Sequence, residues 1–252
     1  MRVGEFTLIV PFYRNVRMLR HQLQAWETYP REARIVLVDD GSPEPAREVV
    51  EAHASPALLE RLSLYRIEVD IPWNRGGARN LGTHVADTDW VLHVDIDHRL
   101  PAEMAWQLLG FDADRRRWYR FERFRFGRAD ATRRKDKIAD DVEFGKIHPH
   151  IDSYLCTREL YWEAGGYNED FSGCLGGGTD FLKRMEQIAL PDLVPAPVHL
   201  MVFTRSVAPD ASDFSLSRDR TKGKQLQRQI AGRKPTSHLR FTWSKQDPCI
   251  RS

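Results

Sequence analysis

A chain of 252 residues has room for one large α/β domain, and 41% hydrophobic with 29% charged residues excludes a disordered or fibrous class. No apolar run reaches about 18 residues, which excludes a membrane-spanning helix. The net charge of +2 is small, but the charge is unevenly distributed along the chain.

Met1 to Val10 lacks the long apolar core and small-residue cleavage site of a signal peptide and reads as a first strand. The cysteines Cys156, Cys174 and Cys249 are odd in number and far apart, fitting neither a disulfide framework nor a zinc site. A reducing, cytoplasmic location is therefore expected.

In chain order, the apolar run Phe6 to Val10 predicts a strand and Met18 to Trp26 a helix. Arg34 to Val38 predicts a second strand, Pro43 to Ala54 a helix, and Leu62 to Val69 a third strand of period two. Gly76 to Ala86 follows as a helix and Trp90 to Val94 as a fourth strand. Strands alternating with helices predict a mostly parallel sheet flanked by helices. Further on, Tyr154 to Ala164 reads as a strand leading into a helix, and Gly165 to Gly178 is glycine-rich. Thr179 to Ile188 reads as helical and Val198 to Phe203 as a further strand. Residues 1–205 are expected to form the domain, and 206–252 a basic C-terminal extension.

Three strands end in polar residues: Pro11-Phe12-Tyr13, Asp39-Asp40-Gly41-Ser42 and Asp95-Ile96-Asp97-His98. Ligands of open parallel sheets bind beyond the carboxyl ends of the strands, so these groups should gather along one edge. Asp95 and Asp97, two apart on a strand, should point the same way and repel unless they share a cation or a proton. Oxygen ligands of this kind suit Mg2+ or Mn2+, which polarises a diphosphate leaving group. Each element alone is also an ordinary turn.

Taken in order, these segments resemble family 2-type glycosyltransferases of the GT-A fold. Leu8-Ile9-Val10-Pro11-Phe12-Tyr13 is similar to the opening strand, and Val38-Asp39-Asp40-Gly41-Ser42 to the nucleotide-binding element. Asn74 to Asn80 is similar to the segment before the metal-binding strand, and His93-Val94-Asp95-Ile96-Asp97 to that strand. Gly165 to Phe171 resembles an acceptor-side segment, and Gly176 to Asp180 stands where the family has Gly-Gly-Glu-Asp. The resemblance covers roughly residues 5–205.

It implies a nucleotide-diphospho-sugar transferase, taking a UDP-sugar as donor and inverting at the anomeric carbon. Asp39 and Asp40 would meet base and ribose, with Pro11 and Tyr13 lining that pocket. Arg75 and Arg79 would approach base or diphosphate. Asp95 would face ribose and metal, Asp97 would ligate Mn2+ or Mg2+, and His199 would complete the metal shell or be a plain strand-end histidine. Asp180 would be the catalytic base, or a carboxylate favoured simply by a helix start. Thr179 replaces a frequent acidic residue, which puts one acceptor contact in doubt.

Gly166, Tyr167, Trp118, Arg120 and Arg123 are the acceptor-side candidates. Arg115 to Lys137 mixes arginines with Trp118, Tyr119, Phe121, Phe124 and Phe126, a pattern suited to nucleic acid. The same pattern fits a strand with its aromatics in the core and its arginines in water. The acceptor stays open between hydroxymethylated DNA and an anionic glycan. A non-catalytic nucleic-acid-binding protein or a nucleotidyltransferase of similar fold are the rival classes.

Overall fold

The apolar runs of the first half build the centre of one sheet. The structure is a computed structural model and describes residues 1–71, 73–126, 143–203, 219–230 and 233–248. The first half comprises β1 (Phe6–Phe12), α1 (Val16–Trp26), β2 (Ala33–Asp39), α2 (Ala46–His53), α3 (Pro56–Leu59), β3 (Leu62–Ile67), α4 (Arg75–Val85) and β4 (Trp90–His93). Then come β5 (His98–Arg99), α5 (Ala102–Leu109), β6 (Arg117–Arg120), β7 (Glu122–Phe126), β8 (Glu143–Ile147), β9 (Tyr154–Thr157) and α6 (Arg158–Glu163). A single 3-10 turn (Glu169–Phe171) precedes α7 (Gly177–Ile188), β10 (Leu190–Leu193), β11 (His199–Phe203), α8 (Arg220–Ile230) and β12 (Trp243–Gln246).

The main sheet runs β10-β6-β9-β4-β1-β2-β3-β12, with β4, β1, β2 and β3 parallel and β9 and β12 antiparallel to their neighbours. All seven residues of β1 are buried, as a strand covered on both faces requires. Alternation sends Leu8 and Val10 into one core with Met18, Leu19, Leu23 and Trp26 of α1, while Ile9 joins Ala78, Leu81 and Phe181 in the other. Truncating Leu8 to alanine should therefore cost about 2–5 kcal/mol. Helix α1 starts where Asn15 Oδ1 accepts the Met18 N–H (3.2 Å), so its apolar stripe enters in register.

Three features depart from expectation. The strand before Asp95 stops at His93, and residues 95–98 form a turn closed by the His98 N–H on the Asp95 carbonyl (2.9 Å). Asp95 and Asp97 are thus not held by strand alternation. A second sheet, β5-β11-β7-β8, also packs in the structure, because β11 and β7 pair parallel at the site's edge. Finally, part of the segment expected as an extension is built into the fold. β12 pairs along β3, and the Glu68 N–H donates to Thr242 O (2.9 Å). The pairing covers β3 and makes the short, polar β12 the edge of the sheet.

Candidate active site

The strand order β4-β1-β2 puts α1, which follows β1, and α4, which precedes β4, on opposite faces of the sheet, so a crevice opens at the carboxyl ends of these strands. At the end of β2, Asp39 accepts the N–H groups of Ser42 (2.8 Å) and Ala46 (2.9 Å) and pairs with Arg66 (2.6 Å). Burial still outweighs these partners and raises its pKa. Asp39 is therefore committed to shaping the turn and the start of α2. Gly41 beside it has φ +71°, and a Cβ there would lie 2.5 Å from Val69 O, so only glycine fits.

Asp40 is 3% exposed, and its Oδ1 has no hydrogen-bond partner among the described residues. Burial raises its pKa well above the ordinary value; hydrogen bonding by Asn74 opposes the rise, and the charges of Asp39 and Asp70 add to it. A buried acceptor left open in this way costs free energy unless a donor arrives. Tyr13 lies half-buried at the end of β1 and donates to Asp70 (3.0 Å), while Pro11 is buried within the strand.

The turn after β4 carries the densest charge. Asp95 is held by Arg79 through a short ion pair, by Arg75 (3.4 Å) and by His150 Nδ1 (3.4 Å). Burial opposes the charged form, but the two arginines prevail and drive its pKa down. Arg79 is 0% exposed, stacks 5.5 Å from the Tyr167 ring centre and so gives Asp95 a fixed partner. Asp97 has the opposite environment: burial, with the Asp95 charge added, pushes it up to about 7. The turn is pinned from beneath by Gln22, whose Nε2 donates to Ile96 O (2.8 Å) and His98 O (2.7 Å).

Asp95, His98 and His150 each place a ligand atom within 4.8 Å of the others. His98 Nε2 accepts from Arg123 (2.9 Å), so its Nδ1 carries the proton and donates to Ser153 (2.8 Å). His98 and His150 were missed in the sequence. The signal was there only as a histidine directly after Asp97 and another about fifty residues on. His199 opens β11, where its Nδ1 bonds Pro197 O (2.7 Å) and its ring packs on Phe124. It is not a member of the Asp95 cluster.

Next to Asp95 opens a cleft of about 420 Å3 lined by Arg75, Arg79, Asp152, Tyr167, Asn168 and the Gly176–Gly178 turn, among others. Asp152, also missed, is 3% exposed there, accepts from the Tyr167 hydroxyl (2.9 Å) and pairs with Arg75 (3.3 Å). Asp180, in the first turn of α7, is 4% exposed and does not line the cleft. Arg184 donates twice to its Oδ2 (3.2 and 2.9 Å), and burial raises its pKa despite that pair.

The other acceptor candidates separate. Tyr167 lines the cleft, whereas Gly166, buried in a left-handed turn (φ +59°), does not. Trp118 is 1% exposed and packs on Tyr154, so an acceptor could stack on it only by opening the core. That expectation is corrected by its burial. Arg120 lies over the Trp118 ring, and Arg123 donates to His98 Nε2 and His148 O. In the basic stretch, Tyr119 and Phe121 are also core residues, and Arg115, Arg116 and Arg117 pair with Asp89, Glu163 and Asp192. The rest of that stretch, 127–137, lies outside the described residues. Among the described residues, no helix is long and apolar enough to cross a membrane.

A model of glycosyl transferase family 2 matches residues 7–173. No curated protein matches the sequence. Among solved structures, the mannosyltransferase PcManGT from Pyrobaculum calidifontis, in complex with GDP-Man and Mn2+, is 18% identical with a TM-score of 0.54. That match covers 78% of this chain and 56% of the other. S. aureus TarS is 16% identical with a TM-score of 0.57, covering 90% of this chain and 42% of that one. TarS residues 1–349 give 16% and 0.55, with 90% and 70% covered. The chain thus spans little more than half of the first neighbour and less than half of the second. At such identities the likeness is one of fold, and the fold is GT-A. With a family model running over more than half its length and that fold around the same strand ends, the chain belongs to glycosyl transferase family 2.

Proposed function

We propose that the protein transfers a sugar from a nucleoside diphosphate donor, a UDP-sugar, to an acceptor hydroxyl with inversion, and that it needs Mn2+ or Mg2+. The observation that carries this reading is the gathering of Asp40, with its open Oδ1, and the Asp95–His98–His150 cluster at the carboxyl ends of β2 and β4. The GDP-Man and Mn2+ held by the archaeal neighbour support a nucleotide-sugar donor and a divalent ion.

The donor set fits such an ion. Asp97 is a half-buried carboxylate raised in pKa beside a second carboxylate, an arrangement that a divalent cation would relieve. Asp95, Asp97 and His150 would hold the ion, and a carboxylate-rich set suits Mg2+ or Mn2+; His98 joins them only if Arg123 releases its Nε2. When bound, the ion supplies Lewis-acid stabilisation of the diphosphate leaving group. His199 is a ligand in this reading only if β11 carries its ring towards the cluster.

Asp40 accepts the ring N–H of uracil, with Asp39, Pro11 and Tyr13 shaping the pocket. Arg75 and Arg79 face the diphosphate. Asp180 Oδ1 takes the acceptor proton as the acceptor oxygen bonds the anomeric carbon and the bond from that carbon to the diphosphate breaks. Both Arg184 bonds go to Oδ2, which leaves Oδ1 for this work. The cleft at Tyr167 receives the acceptor, with the Gly166 turn supporting Tyr167 from behind. A nucleic-acid-binding role has less support, because its best stacking candidates are in the core. Titration with UDP-sugars and Mn2+ tests the proposal: no metal-dependent nucleotide affinity in the wild type would overturn it.

A further inference from the structure

Residues 220–246 contain eight lysines and arginines and no acidic residue. They are Arg220, Lys222, Lys224, Arg228, Arg233, Lys234, Arg240 and Lys245, and all eight are exposed. Among the described residues only Arg240 of these is in an ion pair, with Asp170 (2.7 Å) and Glu169 (3.7 Å). The nearest other acids of the segment are Asp219, which caps α8 by accepting from the Lys222 N–H (2.8 Å), and Asp247 beyond its end.

This basic segment is seated on the cleft. Gly223 of α8 packs directly on the Leu175 backbone, too close for any side chain, and Gln227 donates to Gly176 O (3.2 Å). Leu175 and Gly176 line the cleft beside Arg75 and Asp152. A second, open groove, lined by Arg233, Lys234, Thr236, Ser237, Arg240 and Asp170 among others, shares Asn168 with the first. Cations and hydroxyls at this opening, on the other side of Asn168 from the candidate transfer site, form an anion-binding surface beside it.

We propose that this arm binds a polyanionic glycan acceptor, a sugar chain carrying repeated carboxylate or phosphate groups, and delivers its hydroxyl to the cleft. The inference rests on the glycosyltransferase reading for the word acceptor, but the binding itself does not. The arm's cations are exposed and, Arg240 apart, in no ion pair among the described residues, so they can meet successive anions of a chain as point charges. A single-stranded nucleic acid would also need aromatic faces for its bases. Around the arm, Trp243 is engaged with Tyr65 and Trp162 with His238.

The test is fluorescence anisotropy of the full chain with labelled oligogalacturonate, a labelled phosphodiester-linked glycan, neutral dextran and single-stranded dT20, and co-sedimentation with phosphatidylglycerol vesicles. The proposal predicts that the anionic glycans bind, dextran does not, and affinity falls steeply with salt. Arg233→Ser with Lys234→Ser should weaken glycan binding at least tenfold, and Arg233→Lys with Lys234→Arg should restore it. Unchanged melting temperature and unchanged UDP–Mn2+ affinity in the serine variant would place the loss at the arm and not at the donor site. Equal glycan affinity in wild type and serine variant overturns the proposal. So does tighter binding of dT20 or of the vesicles than of either anionic glycan. Failure of UDP–Mn2+ binding in the wild type would sink the transferase reading while leaving the arm's binding to be judged by its own variants.

Discussion

Gln22, buried on α1, donates to the carbonyl of His98 at 2.7 Å, so a helix in the core fixes the turn that carries the candidate metal ligands. Its second bond, to Ile96 O, holds the same turn from one side chain. Gln22→Leu keeps the volume and leaves both carbonyls unpaired, at a cost of about 1–3 kcal/mol. Mn2+-dependent UDP affinity should fall about tenfold, and metal-free UDP binding should change little. Calorimetry distinguishes this from general damage, because a merely structural role would weaken both alike.

Asp97 gives the site a pH signature. Its pKa of about 7 in the fold exceeds the value near 3.9 of an unfolded aspartate. The folded chain therefore binds that proton more tightly. The contribution is fully present below about pH 4 and is lost as pH rises through about 7. Relative to Asp97→Asn, the wild-type melting temperature in EDTA should decline over that window. Adding Mn2+ should recover the difference at neutral pH, as the ion replaces the proton. Parallel melting curves for the two proteins would contradict the assignment.

Asp40→Ala should weaken UDP binding about tenfold, the worth of about 1.4 kcal/mol for a lost acceptor. Its melting temperature should hold or rise, because the substitution removes a buried carboxylate with an open oxygen. A variant that melts lower yet binds UDP normally would mean the residue is structural.

Asp180→Asn should bind donor and metal normally and turn over about 10^2–10^4 times more slowly, the usual worth of a general base. Asp152→Asn is the informative companion, since Asp152 lines the cleft while Asp180 does not. Retained turnover in Asp180→Asn with loss in Asp152→Asn would move the base to Asp152.

Trp243→Ala tests how far the C-terminal segment belongs to the domain. Its ring meets Tyr65 and His84, and its strand closes the β3 edge. A loss of about 1–2 kcal/mol is expected, or ~2–8 °C for a chain of this size. An unchanged melting temperature would favour an independent extension.

The central strands were legible because each is an apolar run buried on two faces, and periodicity reports burial directly. Leu8, Ile9 and Val10 needed no partner to be recognised as a strand. The second sheet was not legible: β5 has two residues, and β7 pairs with β11 across about seventy-five residues of chain. β12 was hidden by its basic surroundings, since a polar edge strand carries little hydrophobic signal. At the site, the acids announced themselves as clusters at strand ends. His150 and Asp152 did not, because they reach Asp95 and its partner Arg75 only after β9 folds back antiparallel onto β4. His98 did not, because one histidine after an acid is no metal spacing by itself. Trp118 was misread for the converse reason: arginines beside aromatics look alike whether the rings face water or the core.

The most direct test of the central claim is calorimetric titration of UDP-sugars into the wild type and Asp97→Ala, each with Mn2+ and with EDTA. The account predicts binding to the wild type that requires Mn2+ and is absent from Asp97→Ala. Equal nucleotide affinity in both proteins, or no affinity in the wild type with Mn2+ present, would contradict it.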